Sequence, residues 1–240
     1  MLEISHFTKC YKPGVPAVDD LSLKVMPGEI CGFIGHNGAG KSTTLKAIAG
    51  ILDFTEGDIR IGGESIRKNP VSCKRRMAYV PDNPDLYEYL TGIQYLNFIA
   101  DVFGVPEVER TAAFKKYGDL FEITENLGDL ISSYSHGMKQ KLTLIAALCH
   151  NPRLLVLDEP FVGLDPLAAR MLKDVMHELC ASGGAIFFST HVLDVAEKLC
   201  NKVAIIREGQ LVASGETKAL TDGRSLEELF LEVVEHAPAD

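Results

Sequence analysis

Residues 35–43 read Gly-His-Asn-Gly-Ala-Gly-Lys-Ser-Thr, and no other stretch limits the chain's possible folds as strongly. They fit the phosphate-loop spacing G-x-x-x-x-G-K-[ST]. The apolar run Glu29 to Ile34 before them reads as a buried strand. Thr44 to Gly50 after them reads as a helix closed by glycine. Strand, glycine turn and helix form the context the pattern requires. Glycines let the backbone aim several N–H groups at one anion, and the helix start adds partial positive charge. On this reading Gly35, His36, Asn37, Gly38, Ala39, Gly40, Lys41, Ser42 and Thr43 cradle a nucleoside triphosphate. Lys41 reaches the β- and γ-phosphates, and the Ser42 hydroxyl serves Mg²⁺.

A second stretch carries complementary chemistry. Leu154 to Leu157 is an apolar strand that ends in Asp158 and Glu159. Buried carboxylates at a strand end are costly without a cation nearby. The expectation is that this strand lies directly beside the strand of the phosphate loop, with its acidic end facing the phosphates. Asp158 then supports Mg²⁺, and Glu159 polarises an attacking water as general base. Phe188-Ser189-Thr190-His191 places a histidine just past another apolar strand, where it can donate to the γ-phosphate. Ser135-His136-Gly137-Met138-Lys139-Gln140 is read as preceding a helix from Lys141 to Cys149, so that Ser135 and Gly137 open a second anion-binding start.

The rest of the chain is punctuated by clear signals. Leu2 to Phe7 and Leu21 to Val25 alternate apolar and polar, which predicts half-buried strands with Lys9 to Gly14 as a loop. Short strands are predicted at Asp58 to Ile61 and Met77 to Val80. From Thr91 the period becomes helical, with Gly104 as a stop, and Glu107 to Phe121 is a second helix. Roughly residues 82–151 therefore form a helical subdomain. Helices at Pro166 to Ala181 and Leu193 to Leu199 alternate with strands at Ala185 to Thr190 and Val203 to Arg207. Such alternation predicts an α/β fold with a mainly parallel sheet. A short helix over residues 225–234 opens with Ser225 and its capping-box partner Glu228.

Composition narrows the function classes. A formal net charge of -9 disfavours a general nucleic-acid binder. No apolar run approaches the roughly 20 residues of a membrane-spanning helix, and the N-terminus does not read as a signal peptide. The six cysteines are scattered without a C-x-x-C pair and read as reduced core residues of a cytosolic protein.

Taken together, the motifs resemble the nucleotide-binding subunit of an ABC transporter, over nearly the whole chain. Gly35 to Thr43 is similar to the Walker A motif, Leu154 to Glu159 to Walker B, and Tyr134 to Met138 to the family signature. Phe161-Val162-Gly163-Leu164-Asp165 resembles the D-loop, His191 the switch histidine, and Tyr11 the aromatic residue that stacks on adenine. The signature reads Tyr-Ser-His-Gly-Met rather than Leu-Ser-Gly-Gly-Gln, and this wording resembles the exporter-type, ABC-2-like or EcsA-like branch. After Tyr79-Val80-Pro81, where the family has its Q-loop glutamine, stands Asp82, a residue able to serve Mg²⁺ or a water.

The resemblance implies one ABC-type ATPase domain over residues 1–240, with an N-terminal antiparallel β part. It implies ATP and Mg²⁺ as cofactors, and a head-to-tail dimer with a second copy or a paralogue. ATP would sit between Walker A of one subunit and Ser135 and Gly137 of the other, with Asp165 at the same interface. Glu159 would be the catalytic base, aided by Lys41 and His191. Separate transmembrane permease subunits would dock at Pro84 to Thr91, placing the chain at the cytoplasmic face of a membrane.

Other readings explain less. A soluble ABC-type ATPase acting on ribosomes or DNA is the alternative. Translation-factor members carry two such domains, DNA-repair members carry long coiled coils, and Ser42 to Ser135 shows no sustained heptads. A nucleotide-binding regulator with little turnover leaves Glu159 and His191 without a purpose. A phosphate-loop kinase or GTPase leaves the signature stretch unexplained.

Overall fold

The structure, a computed structural model, describes residues 1–235. Leu2–Lys12 (β1) and Val15–Val25 (β2) form an antiparallel hairpin in which Lys12 pairs with Val15. The expected loop at Lys9 to Gly14 is thus mostly strand. Only Pro13 and Gly14 turn the chain, because proline presets φ and Gly14 takes φ 75°. Ile30–Ile34 (β3) runs into the phosphate loop, and Lys41–Ile48 (α1) follows it. Glu56–Ile61 (β4) pairs with β1, and Glu64–Ser65 (β5) with β4, giving an antiparallel sheet ordered β2-β1-β4-β5.

Pro70–Arg76 (α2), with proline in its first turn, leads into Met77–Val80 (β6). Gly92–Phe103 (α3) opens with a capping box between Thr91 and Gln94 and closes at Gly104 in the left-handed region. Glu107–Leu120 (α4) and His136–Leu148 (α5) complete a mainly helical stretch. The last of these helices begins at His136, not at Lys141 as the sequence predicted. Ser135 caps it by accepting from the Met138 N–H, so the signature residues are its first turn.

Beyond it come Leu154–Asp158 (β7), Pro166–Ala181 (α6), Ala185–Thr190 (β8), Leu193–Leu199 (α7) and Lys202–Arg207 (β9). Gln210–Glu216 (β10), Thr217–Thr221 (α8) and Leu226–Glu235 (α9) close the described chain. The Ser225 and Glu228 capping box forms as expected, with hydrogen bonds of 2.9 and 3.1 Å.

The second sheet is ordered β10-β9-β3-β8-β7-β6 and is parallel except for β10. One expectation fails here, since β7 does not lie beside β3. The chain leaves β7, crosses through α6, and returns as β8 between the two. β3, β8 and β7 still end together, with Ile34 opposite Thr190 and Asp158 opposite Ser189. Their ends therefore deliver the phosphate loop, His191 and the two carboxylates to one edge, where ligands of parallel sheets bind.

Side chains alternate across this sheet. Leu155 and Leu157 face a core built with α5, α6 and α3. Leu154 and Val156 face a second core shared with α1 and the antiparallel sheet. Five of the cysteines are buried, Cys10 is half-buried, and all six are free thiols. Burial pushes Cys31 up to about 12 and Cys149 up to about 11, which keeps both protonated and unreactive.

Candidate nucleotide site

The phosphate loop is held in a shape that only glycine permits at two points. Gly40 has φ 108°, and a Cβ there would lie 2.8 Å from the Ala17 carbonyl oxygen. At Gly35 a Cβ would lie 2.5 Å from the Ile206 carbonyl oxygen. The loop is thus pressed against β2 and β9. Lys41 is buried at the start of α1, and its Nζ donates to the carbonyls of Gly35 at 2.6 Å and His36 at 3.3 Å. The same ammonium lies 3.5 Å from Glu159 Oε1. Ser42 and Thr43 share the first turn, and Tyr11 Oη lies 3.3 Å from Thr43 Oγ1.

The acidic end of β7 is fixed by a residue that the sequence reading passed over. Ser189 is fully buried on β8; its hydroxyl donates to Asp158 Oδ1 at 2.6 Å and accepts the Glu159 N–H at 2.9 Å. Glu159 has φ 46°, a left-handed conformation uncommon for a residue with a side chain. That backbone turn sends its carboxylate back towards Lys41 and towards His191, whose Nδ1 lies 3.0 Å from Oε2. Asp82, at the mouth, has its carboxyl pushed up, first by partial burial and then by the like charges of Asp158 and Glu159.

One cavity of about 230 Å³ is lined by Ala17, His36, Asn37, Gly38, Gly40, Lys41, Ser42, Thr43, Asp82, Asp158 and Glu159, whereas Tyr11, Gly35 and Ala39 are not in its wall. His191 does not line the cavity and meets it through Glu159. Hydroxyl and carboxylate oxygens at Ser42, Asp158 and Asp82 suit a hard divalent cation. Among the described residues no group of three His, Cys, Asp or Glu could hold a metal alone. The oxygen donors present fit a cation such as Mg²⁺.

Ser135, Gly137 and Asp165 do not line that cavity. They gather instead around the turn after β7. Gln140 Nε2 donates to the Pro160 carbonyl at 3.1 Å, and a Cβ at Gly137 would lie 3.1 Å from the Gly163 carbonyl. Asp165 caps α6 through the Ala168 N–H at 2.8 Å and pairs with Lys141 Nζ at 2.8 Å. Donation from Lys141 holds its carboxyl below the usual range. One chain thus carries a complete phosphate-and-carboxylate half and, apart from it, a serine-capped helix start that shares no wall with it.

Comparison with known proteins places the chain in a family. A family profile described as ABC transporter matches residues 18–162. The ABC-type transporter ATP-binding protein EcsA of Bacillus subtilis (strain 168) is 33% identical, over 97% of this chain and 96% of its own length. YthP of the same organism, an uncharacterized ABC transporter ATP-binding protein, is 35% identical over 98% and 97%. A solved structure described as the ATP-binding subunit of an ABC transporter superposes with a TM-score of 0.93 at 35% identity, covering 98% and 99% of the two chains. The ATP-binding cassette MJ0796, solved as a dimer with ADP and Pi after hydrolysis, shares the fold with a TM-score of 0.82 at 21% identity, over 90% and 99%.

Proposed function

The chain belongs to the ABC transporter ATP-binding family, in its EcsA-like branch, and is an ATPase; from that premise we propose the assignment of its residues to the steps of hydrolysis and transport. The observation that carries the proposal is the convergence of Lys41, Asp158, Glu159 and His191 at the aligned ends of β3, β7 and β8. The triphosphate lies along the loop N–H groups, with Lys41 on its β- and γ-phosphates and Tyr11 against the adenine. Glu159 accepts the proton of the attacking water, and His191 donates to the γ-phosphate as charge builds on it. Ser42, Asp158 and Asp82 would hold Mg²⁺, which neutralises phosphate charge when bound.

The second half of each site comes from another subunit. Ser135 and Gly137 at the start of α5 offer N–H groups and a hydroxyl to the γ-phosphate held by a partner's Walker A loop, with Asp165 at the same seam. The separation of the two halves on one chain supports a head-to-tail dimer, formed with a second copy or a paralogue. Residues 1–240 act as one ATPase domain in this scheme, with residues 82–151 as its helical subdomain.

Transport then runs through separate transmembrane permease subunits, with the chain at the cytoplasmic face. Among the described residues no helix is long and apolar enough to cross a membrane. The stretch from Pro84 to Thr91 supports docking. Tyr87 is its centre, with ring centroids 5.9 Å from Tyr89, 6.4 Å from Tyr95 and 5.8 Å from Phe98. Tyr87, Tyr89 and Phe98 are exposed, an unusual concentration of aromatic surface. Tyr95 continues the patch into a groove of about 290 Å³ lined with Met77, Ile99 and Phe103. Export is the direction favoured by the signature wording.

Affinity purification of the tagged chain from native membranes tests the proposal. A multi-span membrane protein that co-purifies and raises ATP turnover is the expected result. Recovery of ribosomes or DNA-bound proteins without such a partner would overturn it.

A further inference from the structure

The C-terminal helix reaches the phosphate loop. Phe230 on α9 is buried, and its ring stands edge-on to the His36 ring, with centroids 5.1 Å apart and planes at 66°. His36 is otherwise an exposed side chain. Its carbonyl accepts from Lys41 Nζ at 3.3 Å and from the Ala39 N–H at 3.1 Å. A ring held at this position therefore fixes the peptide against which the Lys41 ammonium rests. The same helix is tied to the other side of the site. The Leu226 N–H at its start donates to Glu197 Oε2 at 3.0 Å. Glu197 lies on α7, the helix that directly follows His191. Leu226 and Leu229 are buried beside Phe230, so α9 is seated rather than loosely apposed.

We propose that Phe230 is a positioning residue for nucleotide binding, acting through His36 to hold the Walker A loop and Lys41 in register, with α9 bracing both the loop and the helix behind His191. Pre-ordering of this kind lowers the entropy lost when the triphosphate binds. It predicts an effect on affinity larger than on the chemical step, because neither Glu159, which activates the water, nor His191, which donates to the γ-phosphate, is touched by Phe230. The inference rests on the phosphate loop being the ATP site.

The test is ATP binding by calorimetry and steady-state turnover for the full chain carrying Phe230→Leu, His36→Ala, His36→Phe, and Phe230→Leu combined with His36→Ala. Leucine keeps the apolar contact with the core and removes the ring. Phe230→Leu and His36→Ala are each expected to weaken ATP binding about threefold to tenfold, the range of one aromatic pair. In both, kcat should change less than KM. His36→Phe, which restores a ring edge against Phe230, should bind ATP more tightly than His36→Ala. The double variant should be no weaker than either single one. Unchanged affinity in His36→Ala, whose exposed side chain can be removed without loss of folding, would overturn the inference, as would additive losses in the double variant. Lys41→Ala separates the two levels: retained ATP binding there would overturn the site itself, whereas its loss beside an unaffected His36→Ala would overturn only the role of Phe230.

Discussion

The Ser189 hydroxyl lies 2.6 Å from Asp158 Oδ1 and, through its second bond, takes the Glu159 N–H at 2.9 Å. One buried side chain thus holds the Asp158 carboxylate and the backbone of Glu159 at the end of β7. Ser189→Ala leaves the Glu159 N–H without its acceptor, a loss of about 1–3 kcal/mol for a buried donor. If that loss falls on the transition state, turnover drops about 5-fold to 160-fold. ATP affinity should hold, because Lys41 and the loop are untouched. Steady-state kinetics with calorimetric ATP binding check this, and a rise in Kd to match the fall in rate would contradict it.

Lys41 and Glu159 face each other at 3.5 Å, both largely withdrawn from solvent. Glu159→Gln keeps the shape and removes the base, so ATP binding persists while turnover falls about 10²- to 10⁴-fold. Size-exclusion chromatography with ATP should then show an accumulated dimer. Lys41→Ala acts differently: it removes the cation facing the phosphates and leaves the Glu159 carboxylate with His191 alone. Loss of ATP binding and of turnover together is expected, and retained activity would refute the assignment.

Much of this arrangement was readable from the chain because its signals are local. Pro166, Asp165 and the run to Ala181 define α6, and Thr91 with Gln94 and Gly104 define α3 at both ends. What was not readable depended on partners distant in sequence. Ser189 looks like an ordinary polar residue in an apolar strand until β7 is laid beside β8. The insertion of β8 between β3 and β7 is a choice among crossovers that periodicity does not encode. Ser135 to Gln140 reads as a lead-in to a helix at Lys141, yet the Ser135 cap outweighs one glycine in a first turn and starts the helix at His136. β10 escaped because an antiparallel edge strand with partly buried residues on both faces lacks clean alternation.

Asp82 yields a prediction about pH. Its pKa is raised in the folded protein above the ordinary 3.8, by burial and by Asp158 and Glu159. Its contribution to stability is therefore fully present below that ordinary value and is lost as pH rises through the folded value. At neutral pH the ionised carboxylate opposes folding. Asp82→Asn should raise the melting temperature at neutral pH, with the gain shrinking as pH falls towards 3.8. Added Mg²⁺ should narrow the difference, since the cation offsets the repulsion that asparagine removes. Melting curves across pH, with and without the metal, check both parts. A gain that does not vary with pH would show that the substitution acts by some route other than charge.

Glu88 and Lys139 join the proposed docking stretch to the first turn of α5, at the residue directly after the signature stretch Tyr134 to Met138. Two backbone bonds reinforce the link, from the Ser132 N–H to the Glu88 carbonyl at 3.1 Å and from the Ile131 N–H to the Leu90 carbonyl at 2.9 Å. A push on Tyr87 or Tyr89 therefore has a short path to Ser135. Glu88 is well exposed, so the ion pair contributes only about 0–1 kcal/mol to stability. Its value lies in coupling. Glu88→Lys should leave the melting temperature and the turnover of the isolated chain near their original values, yet reduce the stimulation given by the membrane partner. Combining it with Lys139→Glu re-forms the pair with charges exchanged and should restore stimulation. Turnover measured with the co-purified partner in detergent decides the matter: if the exchanged pair stays as poorly stimulated as Glu88→Lys alone, the charge pair is not the connection, and coupling runs through the backbone bonds.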